Sequence, residues 1–80
     1  MKQRQQVNFN TVDFRREHGL QPRGVAIWVF YFADAPSEPW IPRPIDAQIR
    51  RMSYTAAKDY ATAEAIRRHV TAVRLDANPL

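Results

Sequence analysis

The sequence predicts an α+β domain in which one α-helix packs on a mainly antiparallel sheet of three to four strands. Residues 25–33, VAIWVFYFA, are mostly β-branched or aromatic and form a run too short for a typical helix, which indicates a strand. Residues 53–69 begin with serine and are rich in alanine, which indicates a helix. Between them, residues 35–44 hold four of the six prolines, which helices do not accept. The expected order is β-β-(Pro-rich linker)-α-β.

The first strand is predicted at residues 7–16, where apolar and polar side chains alternate. Its parity changes at Asn10–Thr11, which indicates a bulge or a strand that starts later. Residues 18–24, HGLQPRG, contain both glycines of the chain. We interpret this stretch as the turn between the first two strands, because glycine adopts positive φ and Pro22 fixes φ. A phosphate-binding loop would instead open a helix.

The second strand, residues 25–33, is apolar on both faces, so we expect a central strand or a strand with one face that contacts a partner. Its two faces are Val25, Ile27, Val29 and Tyr31 on one side, and Trp28, Phe30 and Phe32 on the other. Residues 35–44 are expected to form an extended, semi-rigid linker with polyproline II character. Within it, Trp40 and Ile41 are candidates for a short edge strand.

The helix is expected to start after Ser53 as its N-cap and to end with cations that complement the C-terminal dipole. Its inner stripe consists of Tyr54, Ala57, Ala61 and Ala65. Small alanines let the helix lie close to the sheet, and the aromatic side chains of the second strand would fill the remaining space. Residues 70–75, VTAVRL, are the last predicted strand.

The 80 residues are expected to form one small domain with a flexible N-terminal tail, residues 1–6, and a C-terminal tail, residues 76–80. The chain has no cysteine, which excludes disulfides and thiolate metal sites and suits a reducing cytoplasm. Its longest apolar run is far too short to span a bilayer. We therefore expect a cytoplasmic protein with no membrane partner.

Catalytic residue types are sparse. The histidines and serines are His18, His69, Ser37 and Ser53. They show neither the spacing of a metal site nor a nucleophile elbow. The carboxylate pairs are Asp13 with Glu17 and Asp34 with Glu38. Ion pairing with neighbouring arginines is the commoner explanation for the first pair, so we expect neither an enzyme nor a cofactor or metal site.

The net charge is +4, and ten of the twelve basic residues are arginine. Three arginine pairs stand out: Arg15–Arg16, Arg50–Arg51 and Arg67–Arg68. Arginine is favoured at interfaces and pairs well with carboxylates and phosphates. These residues form either an ordinary solvated surface or a surface for an acidic partner, which is a protein or a nucleic acid.

Four stretches follow the order of a known group of proteins: FRREHGLQPRG, IWVFYF, MSYTAAKDYATAEAIRR and VTAVRL. They resemble the pattern F…HG..P.G…W.F, the M-(S/T)-Y helix start and the closing V.V strand of short proteins from phages and mobile elements of GC-rich bacteria. The resemblance covers most of residues 7–75, and its motifs are structural rather than catalytic. It implies an anti-CRISPR protein, an inhibitor of a type I CRISPR surveillance complex in the host cytoplasm.

Such an inhibitor needs no chemistry, only a rigid surface with side chains of the types that dominate interface energies. We expect a protein partner with an acidic surface, bound through Arg15, Arg16, Arg23, Tyr31, Trp40 and Arg43. The alternative is a small basic DNA- or RNA-binding protein whose aromatic side chains stack on bases beside the arginines. The sequence contains no RNP, KH or helix-turn-helix signature. The oligomeric state is left open.

Overall fold

Six strands and two helices lie within residues 6–43 and 50–80, the residues that the computed structural model describes. In chain order they are β1 (Asn8–Asn10), α1 (Val12–His18), β2 (Val25–Ala26), β3 (Phe30–Phe32), β4 (Ala35–Trp40), β5 (Met52–Ser53), α2 (Tyr54–Arg68) and β6 (Ala72–Leu75). The large sheet has the strand order β1-β6-β3-β4; β1 is parallel to β6 and the other neighbours are antiparallel. β2 and β5 form a separate antiparallel pair. The α+β class is confirmed, with two helices instead of one and a different element order.

Helix α1 replaces most of the first predicted strand, so that prediction is wrong beyond Asn10. The Asn10 side chain accepts a hydrogen bond from the Val12 amide at 3.0 Å, where the chain leaves β1. Phe14 and His18 lie one helical turn apart, and their ring centroids are 4.3 Å apart. Phe14 is buried beside Trp28, which gives this short helix tertiary support. The parity change in the sequence thus marks the end of a strand and the start of a helix, not a bulge.

Residues 18–24 connect a helix to a strand, so their interpretation as a turn between two strands is also wrong. Gly19 is the C-cap of α1 with φ of 70°, and its amide donates to the Arg15 carbonyl at 2.8 Å. Gly24 has φ of 90°, and its carbonyl accepts from the Tyr54 amide at 3.1 Å. Both glycines therefore hold a backbone conformation that L side chains rarely adopt.

The strand predicted at residues 25–33 is interrupted. Its start, β2, pairs with β5, whereas its end, β3, belongs to the large sheet. Trp28 lies between the two and is 2% exposed; its Nε1 donates to the Met52 carbonyl at 3.0 Å. Trp28 is buried in one cluster with Phe30 and Phe32, the side predicted for it, and its one polar atom is satisfied.

Residues 35–40, part of the predicted proline-rich linker, form the edge strand β4, which pairs with β3. Pro36 and Pro39 are tolerated there because one side of an edge strand has no ladder partner. The linker prediction is therefore wrong for this part of the chain. The end of that segment, Pro44, lies outside the described residues, as does most of the predicted N-terminal tail (residues 1–5).

The C-terminal residues run beside residues 27–29. The Asp76 amide donates to the Val29 carbonyl and the Leu80 amide donates to the Ile27 carbonyl, both at 2.9 Å. These bonds hold the segment predicted as a C-terminal tail against the rest of the domain.

Helix α2 has the predicted cap and inner stripe. The Ser53 Oγ accepts a hydrogen bond from the Ala56 amide at 3.1 Å. Three alanines of the inner stripe have no exposed surface: Ala57, Ala61 and Ala65. They pack in one cluster with the aromatic side chains of β3 and with Trp28, as expected. The helix ends at His69, which adopts φ of 60°, and β6 lies within the predicted closing strand.

Candidate binding surface on the open sheet face

The large sheet has one covered face and one open face. The side chains of the covered face pack into the core with α2: Phe9, Phe30, Phe32, Val73 and Leu75. Because side chains alternate along a strand, the residues between these lie on the other side. The register places Tyr31 opposite Arg74, and Asn10 beside Arg74 on the next strand. We call this side the open sheet face and define it by Asn8, Asn10, Tyr31, Ala72 and Arg74.

A shallow groove of about 290 Å³ crosses the open sheet face. Ala33, in the turn after β3, and Pro36 of β4 also line it. The amides of Asn8 and Asn10 are exposed at the β1 side. The groove thus combines apolar surface with a few hydrogen-bonding groups, as binding clefts do.

The centre of the open sheet face is a stack of Tyr31 and Arg74. The guanidinium carbon of Arg74 lies 4.2 Å from the centroid of the Tyr31 ring, within the range of a cation–π contact. The Tyr31 hydroxyl donates to Asp76 Oδ2 at 2.8 Å, and Asp76 Oδ1 accepts from the Asn78 amide at 3.0 Å. The ring is therefore held by a cation on its face and by a carboxylate at its tip.

The hydrogen bond to Asp76 raises the pKa of Tyr31 above its usual value, because loss of the phenolic proton would break that bond. Burial and the negative charge of Asp76 raise the pKa further, and the positive charge of Arg74 opposes them. The phenol therefore remains a neutral hydrogen-bond donor throughout the physiological pH range.

A network of polar side chains links the Tyr31–Arg74 stack to helix α1. Arg74 Nη1 lies 3.4 Å from Asp13 Oδ2, and Arg16 Nη1 lies 3.8 Å from Asp13 Oδ1. The Arg16 side chain is 75% exposed, so each of these contacts contributes about 0–1 kcal/mol to stability. The network orients its side chains more than it stabilises the fold.

Two of the six residues predicted to bind a partner belong to this network: Tyr31 at its centre and Arg16 at its margin. Arg15 is exposed on α1, and its Nε donates to Thr11 Oγ1 at 3.1 Å. Arg23 is exposed and precedes Gly24, next to the start of α2.

Trp40 and Arg43 lie elsewhere. Trp40 packs from β4 onto the rings of Phe30 and Phe32, at centroid distances of 6.3 Å and 5.2 Å, so it extends the core on the covered face. Arg43 is exposed beyond β4 and shares a second recess with Glu64. The six predicted residues therefore do not form one continuous surface.

Sequence reasoning missed Arg74, the residue that links Tyr31 to α1. A signal for it exists, because Arg74 has the opposite parity to Val73 and Leu75 within a predicted strand, which places it on the solvent side. The prediction that Asp13 forms an ion pair with a neighbouring arginine is confirmed by its contact with Arg16.

The described residues contain no group of three or more His, Cys, Asp or Glu side chains that could hold a metal ion. His18 Nε2 lies 2.8 Å from the Ala77 carbonyl, a contact that ties α1 to the C-terminal segment.

No protein-family model, curated protein or solved structure matches this chain. Neither helix in the described parts of the chain is long and apolar enough to cross a membrane.

Proposed function

We propose that the protein is a non-enzymatic inhibitor that binds a protein partner on the open sheet face. The observation that carries the proposal is the Tyr31–Arg74 stack, which lies in a groove on the face of the sheet that α2 leaves open. Tyrosine and arginine are among the residue types that contribute most to the affinity of protein interfaces. Here both side chains are held in place before binding, which lowers the entropy cost of association.

The net charge of the chain, +4, favours a partner with an acidic surface. Arg16 and Arg74 share one carboxylate, Asp13. Each guanidinium group has five N–H donors, so donors remain for a carboxylate or a carbonyl group of the partner. Asn8 and Asn10 add exposed amide groups at the edge of the same groove.

The same network disfavours a nucleic acid on this face. Two carboxylates, Asp13 and Asp76, offset the charges of Arg16 and Arg74, so this face lacks the excess of cations that binds a phosphate backbone. A groove that binds single-stranded DNA or RNA would instead present cations along its length, without neighbouring carboxylates that offset their charge.

The resemblance in sequence supplies the candidate target, a type I CRISPR surveillance complex. The direct experiment mixes the purified protein with a purified complex of that type and measures Kd by calorimetry. We expect Tyr31→Ala and Arg74→Ala each to weaken binding by about 2 kcal/mol, roughly thirtyfold in Kd. Arg23→Ala is the matched control, because it removes the same charge away from the groove, and we expect Kd to stay within about twofold.

Equal loss of affinity in Arg23→Ala and Arg74→Ala would reject the open sheet face as the docking surface. No association of the unmodified protein with the complex would reject this target.

A mobility shift with DNA or RNA at two salt concentrations tests the alternative, a small nucleic-acid-binding protein. If the protein binds DNA or RNA with a submicromolar Kd, and this affinity falls steeply with salt and is lost in Tyr31→Ala, the partner is a nucleic acid and not a protein.

A further inference from the structure

The two edges of the large sheet differ in their capacity to pair with another strand. At one edge, β4 contains Pro36 and Pro39, which lack an N–H group, and its register against β3 is irregular. At the other edge, β1 has no proline and pairs with β6 in continuous register. Prolines and bulges are features that prevent strand addition at an edge. Within the described residues, β1 is therefore the edge of the large sheet that lacks this protection.

The backbone of Phe9 points outward from the β1 edge. The Asn8 amide donates to the Thr71 carbonyl at 2.7 Å, which directs the backbone groups of Asn8 toward β6. Because this direction alternates along a strand, the groups of Asn10 also point to β6 and those of Phe9 point away from it. The Phe9 N–H and C=O have no hydrogen-bond partner among the residues that the structure describes. An added strand would supply both partners.

Lys58 of α2 lies beside the same edge. Its Nζ lies 5.3 Å from the centroid of the Phe9 ring, on the face of the sheet that α2 covers. Lys58 is exposed and forms no ion pair with any residue in the described parts of the chain. A strand added to β1 would place one side chain opposite Phe9 on this face, with the two Cβ atoms about 5 Å apart. A carboxylate at that position would lie within reach of the Lys58 ammonium group.

We propose that β1 binds an extended segment of the partner as an additional strand, with an acidic side chain opposite Phe9 that pairs with Lys58. This inference rests on the proposed function, because it names the form in which the partner meets the open sheet face. The neighbours of the acidic residue would lie beside Asn8 and Asn10, which line the groove. Hydrogen bonds to the Phe9 backbone supply affinity for any extended segment, and Lys58 selects an acidic one.

The charges select an acidic segment over a second copy of this chain. Antiparallel pairing of two β1 strands about a two-fold axis would place the two copies of Phe9 opposite each other. The two copies of Lys58 would then lie close together on the same face, and like charges opposite each other destabilise a strand pair. The net charge of +4 on each copy adds to this repulsion. An acidic segment meets no such repulsion.

Two synthetic peptides test the β1 edge without the surveillance complex. Each has seven residues, threonine alternating with valine, and the central valine is replaced by glutamate in one peptide and by lysine in the other. Both are titrated into the ¹⁵N-labelled protein and followed by NMR. We expect the glutamate peptide to shift the amide signals of Val7 and Phe9 and to slow hydrogen exchange at the Phe9 amide. We expect the lysine peptide to bind about fivefold more weakly, because its charge repels Lys58.

A charge reversal on α2 tests the role of Lys58. We expect Lys58→Glu to bind the lysine peptide about fivefold more tightly than the glutamate peptide, the reverse of the unmodified chain. Arg43→Glu is the matched control, because it makes the same change of charge beyond β4, at the opposite edge of the sheet. We expect this control to keep the preference for glutamate. Circular dichroism checks that both variants are folded.

Several outcomes would overturn the proposal: no effect of either peptide on the Phe9 amide, shifts confined to β4, or an unchanged preference in Lys58→Glu. Protection of the Phe9 amide that rises with protein concentration in the absence of peptide would assign the edge to a second copy instead. If the peptides behave as expected and the chain does not bind the surveillance complex, the result supports the β1 edge and rejects that target. If the complex binds through Tyr31 and Arg74 but the peptides have no effect, the proposed function stands and the added strand is rejected.

Discussion

At the scale of single residues, Glu64 is the acidic side chain with the most interactions in the described part of the chain. It accepts hydrogen bonds from both Arg67 and Arg68, and Arg68 also lies over the Phe32 ring with its guanidinium carbon 4.5 Å from the centroid. The bond from Arg67, with help from Arg68, holds the pKa of Glu64 below its usual range, although burial opposes this shift. The carboxylate therefore joins the end of α2 to the sheet through Arg68.

This arrangement predicts a pH-dependent contribution to stability. A carboxyl group whose pKa is lowered on folding stabilises the folded state above its unfolded pKa, and the effect disappears as the pH falls through its folded pKa. We expect Glu64→Gln to lower the free energy of unfolding by about 1 kcal/mol at pH 7 and by progressively less below about pH 4. Urea unfolding at several pH values measures it. Glu38→Gln, at an exposed position on β4, is the control; an equal pH dependence in both variants would contradict the assignment.

The two glycines give a second prediction at this scale. No atom lies within 4 Å of a side-chain carbon built at Gly19 or Gly24, so the cost of a side chain there comes from the backbone alone. We expect Gly19→Ala to lower stability by about 1 kcal/mol and Gly19→Asn by less, because asparagine tolerates left-handed φ. Thermal unfolding compares them. If Gly19→Ala and Gly19→Asn both have the Tm of the unmodified chain, the assignment of a positive φ to Gly19 is contradicted.

At the scale of elements, α2 depends on local signals and α1 on distant ones. Ser53 caps α2 through its side chain, whereas Thr11 makes no such bond at the start of α1. The seven-residue α1 is held by Phe14 in the core and by Asp13 and His18, which contact β6 and the segment after it. A helix this short is not stable without such contacts.

The cap of α2 is therefore expected to matter measurably. We expect Ser53→Ala to lower the free energy of unfolding by about 1 kcal/mol, because the amide of the first turn loses its acceptor. Ser37→Ala, in the exposed part of β4, is the matched control and is expected to change stability by less than about 0.5 kcal/mol. Chemical unfolding, monitored by circular dichroism, measures the stability of the two variants. Equal stability of Ser53→Ala and Ser37→Ala would show that the cap contributes little.

At the scale of the whole molecule, the large sheet separates helix α2 from the open sheet face. Helix α2 covers one face of the sheet with its alanine stripe, so the proposed binding surface on the other face stays accessible. The three arginine pairs belong to three different parts of the chain: α1, the residues before β5 and the end of α2.

By itself, the sequence determined those features that depend on neighbouring residues. The cap and alanine stripe of α2 and the alternation that buries Phe30 and Phe32 around Tyr31 are visible in short windows, because capping, helix periodicity and strand pleating act over a few residues. The arginine-rich composition likewise favours arginine as one of the residue types of the proposed binding surface.

Only the tertiary structure decided the rest. Helix α1 is stabilised because Phe14 packs against Trp28. Residues 35–40 form a strand because they pair with β3. Arg74 reaches Tyr31 because β6 lies between β1 and β3. These contacts join residues far apart in the chain, and the free energy of burial and pairing that they supply outweighs the weak preferences of the local sequence.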